Sequence, residues 1–476
     1  MSDRERRSGA RTTLDQLEEE KIRKAIEHVW KPSPYLELLR NRDFLLLWLG
    51  QGISQLGDWL IVVALVLLVR DLTGSALAVG TLMIFKILPV LLFGSVVGVF
   101  VDRLNRKRTM IFCDLFRGAL VALLPFVRGV FQVYLIVFLM ETFSLFFTPA
   151  KDASLPNLVE SDHILTANSL SYTTNQLTMI LGLGFSSTII LVVHGLVRAI
   201  PTPVLGAISE VPLIRYFVPQ LAGSQAIFVM DTFSFIVSAI LIGFIHLPPA
   251  EHLIRKINYS QVKDDVLEGL HFLKTHPRIR PMIISAGMAL LGGGSIYTLG
   301  VFYCEEVLRV GKTGFGFLLT LLAVGMLLGG IFSGLVGRLL SRHYLFNGSI
   351  LIFGVALLLF SLIPYYEVTI LLSVVAGVAL GLIFVSGYTF LHETVEDKLM
   401  GRVFATLESL LRISLLLSLV LTGMIADIIG RRVLSLGDFS LHLNGPRITL
   451  VLGALVVMLA GAYAFRSDRL AGEIRC

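Results

Sequence analysis

Twelve apolar stretches, each about twenty residues or longer, recur along the chain and leave few folds open to it. They run roughly from 44 to 69, 76 to 101, 109 to 127, 131 to 149, 168 to 193, 224 to 246, 281 to 304, 314 to 337, 344 to 364, 368 to 391, 403 to 426 and 447 to 465. A helix needs about 20 mostly apolar residues to cross roughly 30 Å of hydrocarbon, because every backbone polar group there must find its partner within the protein. The pattern predicts an all-α membrane protein with 12 transmembrane helices. The third stretch carries Asp114 and Arg117, the fifth opens with polar residues and the eleventh carries Glu408 and Arg412, which makes these three the weakest. Composition agrees: the 476 residues are 55% hydrophobic and 16% charged, with 31 phenylalanines. A mean hydropathy of +0.80 is more than an ordinary soluble domain hides from water.

Charge placement tests the count. With the N-terminus in the cytoplasm, roughly twenty Lys and Arg residues fall near the cytoplasmic helix ends and roughly nine near the opposite ends. The positive-inside rule therefore predicts both termini in the cytoplasm and an even number of spans. That surplus accounts for a pI near 9.2 without invoking nucleic acid. Residues 1–40 are polar and mixed in charge, and "TLDQLEEEKIRKAIEHVW" is patterned like an amphipathic helix, not a signal peptide or a span. They read as a cytoplasmic segment, either a partly ordered tail or a docking element. Cys113, Cys304 and Cys476 are scattered and odd in number, which predicts free thiols and no metal site.

Sliding the chain along itself by 236 residues lays Gly94 over Gly330, Gly98 over Gly334, Arg106 over Arg342 and Lys107 over His343. The shift equals six spans, so the chain divides into two six-helix pseudo-repeats, 41–246 and 281–476. The connecting segment 247–280 includes "SQVKDDVLEGLHFLKTHPRIRP", whose Val262, Val266, Leu267, Leu270 and Leu273 recur at helical spacing. It predicts an amphipathic helix along the cytoplasmic face.

Between the second and third spans lies "GVFVDRLNRKRT", residues 98–109. Gly98 and Gly94 form a small-xxx-small pair that admits a neighbouring helix. Asp102 sits where the helix leaves the membrane, Asn105 suits the left-handed conformation of a tight turn, and Arg106, Lys107 and Arg108 meet the anionic leaflet. This stretch resembles the signature loop of the major facilitator superfamily, with Asn105 where that family usually has glycine. The segments "LLRNRDFLLLWLGQGISQLGDWL", "SLPNLVESDHILTANSL" and "GRVFATLESL" are similar to those of its enterobactin-exporter-like and macrolide-efflux-like bacterial permeases. The resemblance spans about 38 to 465 and is weakest at an insert near 194–223. It implies a monomeric transporter of the bacterial plasma membrane, working outward by proton exchange. It also implies a conformational latch in which Asp102, with Gly98, Arg103, Arg106 and Lys107, faces the N-terminal end of helix eleven at Gly401 and Arg402. The plainer alternative is that these charges only fix topology. The matching position of the second half is Arg338, not an acid.

Charges inside spans are costly and usually face the bundle interior, pair, or couple ions. Asp114 with Arg117, and Glu408 with Arg412, lie three and four residues apart and read as structural pairs on one helical face. Asp58 and Lys86 lie mid-span in the first and second helices and can pair across them as a coupling or substrate site; Asp58 can instead belong to an architectural turn near the outer mouth. Glu141 and Asp231 are weaker candidates of the same kind, Asp231 near the outer end of the sixth span.

No enzyme pattern survives: the histidines show no HExxH spacing, and "GGGS" at 292–295 lacks the lysine of a phosphate loop, leaving packing or a hinge as its role. No cofactor is implied. The expected partners are the lipid bilayer, a small-molecule substrate and protons. The sequence favours export of a hydrophobic or amphipathic small molecule such as a drug or siderophore. Uptake or lysolipid flipping on the same scaffold, and a transport-inactive membrane scaffold or sensor, are the alternatives.

Overall fold

Where each helix begins and ends follows from which residues can satisfy the backbone groups left free at its ends. The computed structural model describes residues 34–101, 104–199, 225–247, 276, 279–337, 340–395, 397–436 and 439–473. Helix α1 covers Pro34–Arg40 and α2 covers Arg42–Thr73. The Asn41 side chain caps α2 by accepting the N–H groups of Asp43 and Phe44 at 3.1 and 3.2 Å. Gly74, at φ 63°, ends it by returning its N–H to the Arg70 carbonyl at 2.8 Å. The chain continues through α3 (Ala76–Val101), α4 (Arg106–Leu123, prolonged by a 3₁₀ turn to Phe126), α5 (Val130–Ser154), α6 (Ile164–Ala199) and α7 (Gln225–Gly243). After these come α8 (Ile279–Gly293), α9 (Ser295–Glu306), α10 (Gly311–Val336), α11 (Arg342–Leu362), α12 (Tyr366–Thr394), α13 (Asp397–Ile429) and α14 (Gly445–Glu473).

Among the described residues, 11 helical segments are long and apolar enough to cross a membrane, with α8 and α9 counted as one. The expected span at 168–193 is helical as well, inside the 36-residue α6, which is not among those 11. The repeat is visible in the helix starts. α4 opens at Arg106 and α11 at Arg342, α5 at Val130 and α12 at Tyr366. Each pair is separated by the same 236 residues at which the sequence overlays itself.

Three local features depart from the sequence reading. The seventh span is broken at Gly294, so the glycine run at 292–294 divides α8 from α9; a Cβ on Gly294 would lie 2.6 Å from the Ser418 hydroxyl. An antiparallel hairpin, β1 (Arg431–Leu436) with β2 (Phe439–Asn444), precedes α14. Asn105 is extended, not left-handed, at φ −69° and ψ 108°; its side chain caps α4 by accepting the Arg108 N–H at 3.0 Å. An N-cap makes direct use of the short Asn acceptor, which explains its presence without a strained turn. The amphipathic segment at 13–30, Asp102, Arg103, Arg338, the insert residues 200–224 and the linker residues 248–275 lie outside the described residues.

Helices α2 to α7 pack among themselves, with α7 against both α2 and α4 and α3 against α5. The later helices do likewise, through α10 on α12, α11 on α12 and α14, and α8 on α13 and α14. The two groups meet along two seams, α3 with α13 and α6 with α10. Named close approaches across these seams include Gly184 to Thr320 and Gly423 to Leu77, where an added Cβ would come within 2.8 Å. They lie toward the end at which α2 gives way to α3.

Candidate functional site

Three helices of the first group each present polar residues on one face to one interior space, and two more add a single cation each. On α2 these are Gln51, Ser54 and Asp58; on α5, Glu141, Ser144 and Lys151; on α6, Asn168, Ser171 and Asn175; α3 adds Lys86 and α4 adds Arg117. Residues so spaced share a helical face, so the stripes converge and enclose a cavity of about 510 Å³. The polar stripes on α2 and α6 went unread in the sequence, although the signal was there: polar residues at helical spacing inside otherwise apolar runs.

The charges in this cavity are paired, but not as the spacing suggested. Arg117 Nη2 donates to both carboxylate oxygens of Asp58 at 2.7 Å. Lys86 pairs with Glu141. The expected Asp58–Lys86 pair does not form, because α7 draws α2 and α4 together while α3 packs on α5. Asp58 faces this cavity from within its span, which answers the alternative of an outer architectural turn. The Arg117 side chain is only 6% exposed, and its guanidinium carbon lies 4.2 Å above the centre of the Phe235 ring. A desolvated cation beside an aromatic face and a carboxylate is strongly held.

Behind this pair the acids are deeper. Asp114 lies 3.6 Å from Arg117 Nη1, as the spacing of three predicted, and also accepts the Ser238 hydroxyl at 2.6 Å. Asp231 is fully buried; its Oδ1 accepts the Ser234 hydroxyl at 2.9 Å and its Oδ2 has no hydrogen-bond partner. It sits against Gly57, where any Cβ would collide with the carboxylate. Glycine beside Asp58 thus admits a second acid to the site. Asp58, Lys86, Arg117 and Glu141 thus line the cavity as one charge cluster, with Asp114 and Asp231 behind it.

The other candidates lie apart from this cluster. Glu408 and Arg412 approach only to 3.9 Å with both side chains well exposed, and Glu408 instead accepts the Tyr388 hydroxyl. Arg106 Nη1 donates to the Ala153 carbonyl at 2.7 Å and Lys107 Nζ to the Ile245 carbonyl at 2.8 Å. Cations at helix C-terminal ends complement the free carbonyls there, so these two brace α5 and α7 instead of pointing to the leaflet. Gly98 falls in the last turn of α3, and Gly401 and Arg402 near the start of α13; Asp102 and Arg103, which would join them, lie outside the described residues. Among the described residues, no group of three His, Cys, Asp or Glu side chains is placed to hold a metal ion.

The second group of helices has a different interior. A cavity of about 130 Å³ there is lined by apolar side chains, among them Leu322, Met326, Phe384 and Leu411, with Tyr297 and Tyr388. The two groups share an architecture and differ in the chemistry they enclose.

Comparison with known proteins points the same way. The profile of the Major Facilitator Superfamily matches residues 47–343 and 282–472. Macrolide efflux protein A of Streptococcus pyogenes is 23% identical over 394 residues, covering 81% of this chain and 90% of that one. An uncharacterized MFS-type transporter of Bacillus subtilis (strain 168), YfiS, is 27% identical over 410 residues, 83% of this chain and 89% of its own. Among solved structures, a bacterial homolog of the human lysosomal transporter Spinster, in an inward-facing and unoccupied conformation, superposes with a TM-score of 0.70 at 16% identity, covering 92% of this chain and 98% of that one.

Proposed function

The chain belongs to the major facilitator superfamily, and from that premise we propose that it exports a hydrophobic or amphipathic small molecule by alternating access, driven by proton exchange. Membership makes it a multi-pass membrane transporter; direction, cargo and driving ion are the proposal. The six-helix units 41–246 and 281–476 rock about the two seams, with 247–280 joining them. Both termini face the cytoplasm of a bacterial cell, the protein lies in the inner membrane, and it works as a monomer.

The observation that carries this reading is the pair of ion pairs, Asp58–Arg117 and Lys86–Glu141, on the wall of one cavity. Asp58, Lys86 and Glu141 are partly exposed there, so a cargo with a polar or charged group can exchange for an internal partner without leaving a buried charge unpaired. The apolar cavity of the second half supplies contact for the hydrophobic part of the cargo. Relatives of about one quarter identity include a protein named for macrolide efflux, and macrolides are amphipathic in this sense. Asp231, buried with one carboxyl oxygen unbonded, and Glu141 are the proton-exchange candidates. Asp102, with Gly98, Arg103, Arg106 and Lys107, meets the start of α13 near Gly401 and Arg402 when the cytoplasmic mouth closes.

Inside-out vesicles holding the protein test the proposal with a radiolabelled macrolide and a fluorescent hydrophobic cation. Accumulation on acidifying the lumen, abolished by a protonophore and by Asp58→Asn, is the expected result. Movement in the opposite sense only would establish uptake instead, and no gradient-dependent movement of either probe would overturn the proposal.

A further inference from the structure

Helix α3 begins at Ala76 and, like any helix, has N–H groups in its first turn with no partner inside the helix. The usual remedy is a side chain just upstream. Here the Ser75 hydroxyl accepts only the Ala78 N–H, at 3.2 Å, and the acceptor for the two N–H groups before it comes from the other half of the molecule. Asp427, in the last turn of α13, takes the Ala76 N–H at 3.0 Å on Oδ1 and the Leu77 N–H at 3.1 Å on Oδ2. The Ser75 hydroxyl donates to the same Oδ2 at 2.5 Å. Three donors of one half therefore converge on one carboxylate of the other, where the positive end of the helix dipole favours an anion.

A second contact crosses between the halves at the same end. Arg70, in the last turn of α2, pairs with Glu305, near the end of α9. Beneath both, the two backbones come close at glycines: Gly80 faces the Leu419 carbonyl, and Gly423 faces Ala76 and Leu77. Small residues there are what let a short aspartate reach across the seam.

We propose that Asp427 is a detachable helix cap, a positioning residue that closes this mouth of the transporter by bonding the first turn of α3 from the opposite half, with Arg70–Glu305 setting the register. The inference rests on the alternating-access reading; in the topology proposed above the mouth is the external one. A cap supplied by the same helix would survive every rocking motion and report nothing. One supplied across the seam exists only while the mouth is shut. Asp427 is exposed, so water takes over both sides of the contact on opening and the closure stays reversible.

The test uses the full-length protein in nanodiscs, with spin labels on Leu72→Cys and Tyr365→Cys, one in each half beside this mouth, in a Cys476→Ser background; Cys113 and Cys304 are buried. Distances between the labels are read by pulsed electron resonance. Asp427→Ala is expected to raise the ratio of open to closed mouth roughly three- to thirty-fold, the loss of one good cap, and Asp427→Asn by less because one acceptor remains. Glu305→Arg alone is expected to open the mouth, and Arg70→Glu with Glu305→Arg to close it again, a restoration that a general loss of packing would not produce. Unchanged distances in folded Asp427→Ala, or a charge swap that fails to restore closure, would overturn the proposal. The readout needs no cargo. Opening without any transport would remove the export reading and leave the cap standing, whereas transport with unmoved distances would remove the cap alone.

Discussion

Asp58→Ala is the substitution whose consequence follows most directly from the geometry. It strips Arg117 of two charge-assisted hydrogen bonds of 2.7 Å and leaves the guanidinium, 6% exposed, with Asp114 at 3.6 Å and the Phe235 face at 4.2 Å. Breaking a buried ion pair from one side costs about 3–5 kcal/mol, because the remaining charge stays desolvated. Asp58 is itself one-third exposed to the cavity and Asp114 remains, so the expected loss is smaller, about 2–3 kcal/mol. Asp58→Asn keeps an acceptor and is expected to lose about 1–1.5 kcal/mol. Arg117→Met leaves acids without their cation, and combining it with Asp58→Asn removes both partners of the pair. The double-mutant cycle, measured by denaturant unfolding in mixed micelles, is expected to show a coupling of about 1.5–3 kcal/mol between the two sites. Additivity of the single changes within about 0.5 kcal/mol would refute the reasoning, since the two residues would then not share an interaction.

Gly57→Ala pushes a methyl group into the Asp231 carboxylate and is expected to destabilise by about 1–3 kcal/mol in the same unfolding assay, with Asp231→Ala in the same chain recovering part of the loss, since the Ser234 hydroxyl still stands 2.6 Å from the added carbon. Lys86→Met strands Glu141, and the unfolding assay should show a larger loss of stability for Lys86→Met than for Lys86→Met with Glu141→Gln, because the double change leaves no unpaired charge. Gly325→Val, where α10 and α12 pack backbone to backbone, is expected to lower the unfolding midpoint while leaving the mouth distances alone, since that contact lies within one half. Cys113 and Cys304, both buried, should resist maleimide in the folded protein and react on denaturation, as mass spectrometry of tryptic peptides would show.

Much of the architecture is legible in the sequence alone. The apolar stretches locate the membrane helices, and the 236-residue self-overlay aligns Arg106 with Arg342, the residues at which α4 and α11 open in the structure. The site was readable only in part. Every member of the charge cluster was picked out as an in-span charge, and the Asp114–Arg117 proximity followed from their spacing. The partner of Asp58 did not follow, nor did the cap that Asp427 lends to α3 across some 350 residues.

The division has a physical cause. Whether a segment crosses a bilayer depends on its own transfer free energy and its own backbone bonds, both sums over neighbouring residues, so the sequence by itself determined the membrane class, the helices and their duplication. Which charge meets which depends on the side each helix turns to its neighbours and on how closely small residues let helices approach. Only the packing of α7 against α2 and α4 chose Arg117 for Asp58, and only the glycine-lined seam between α3 and α13 brought Asp427 to the first turn of a helix in the other half.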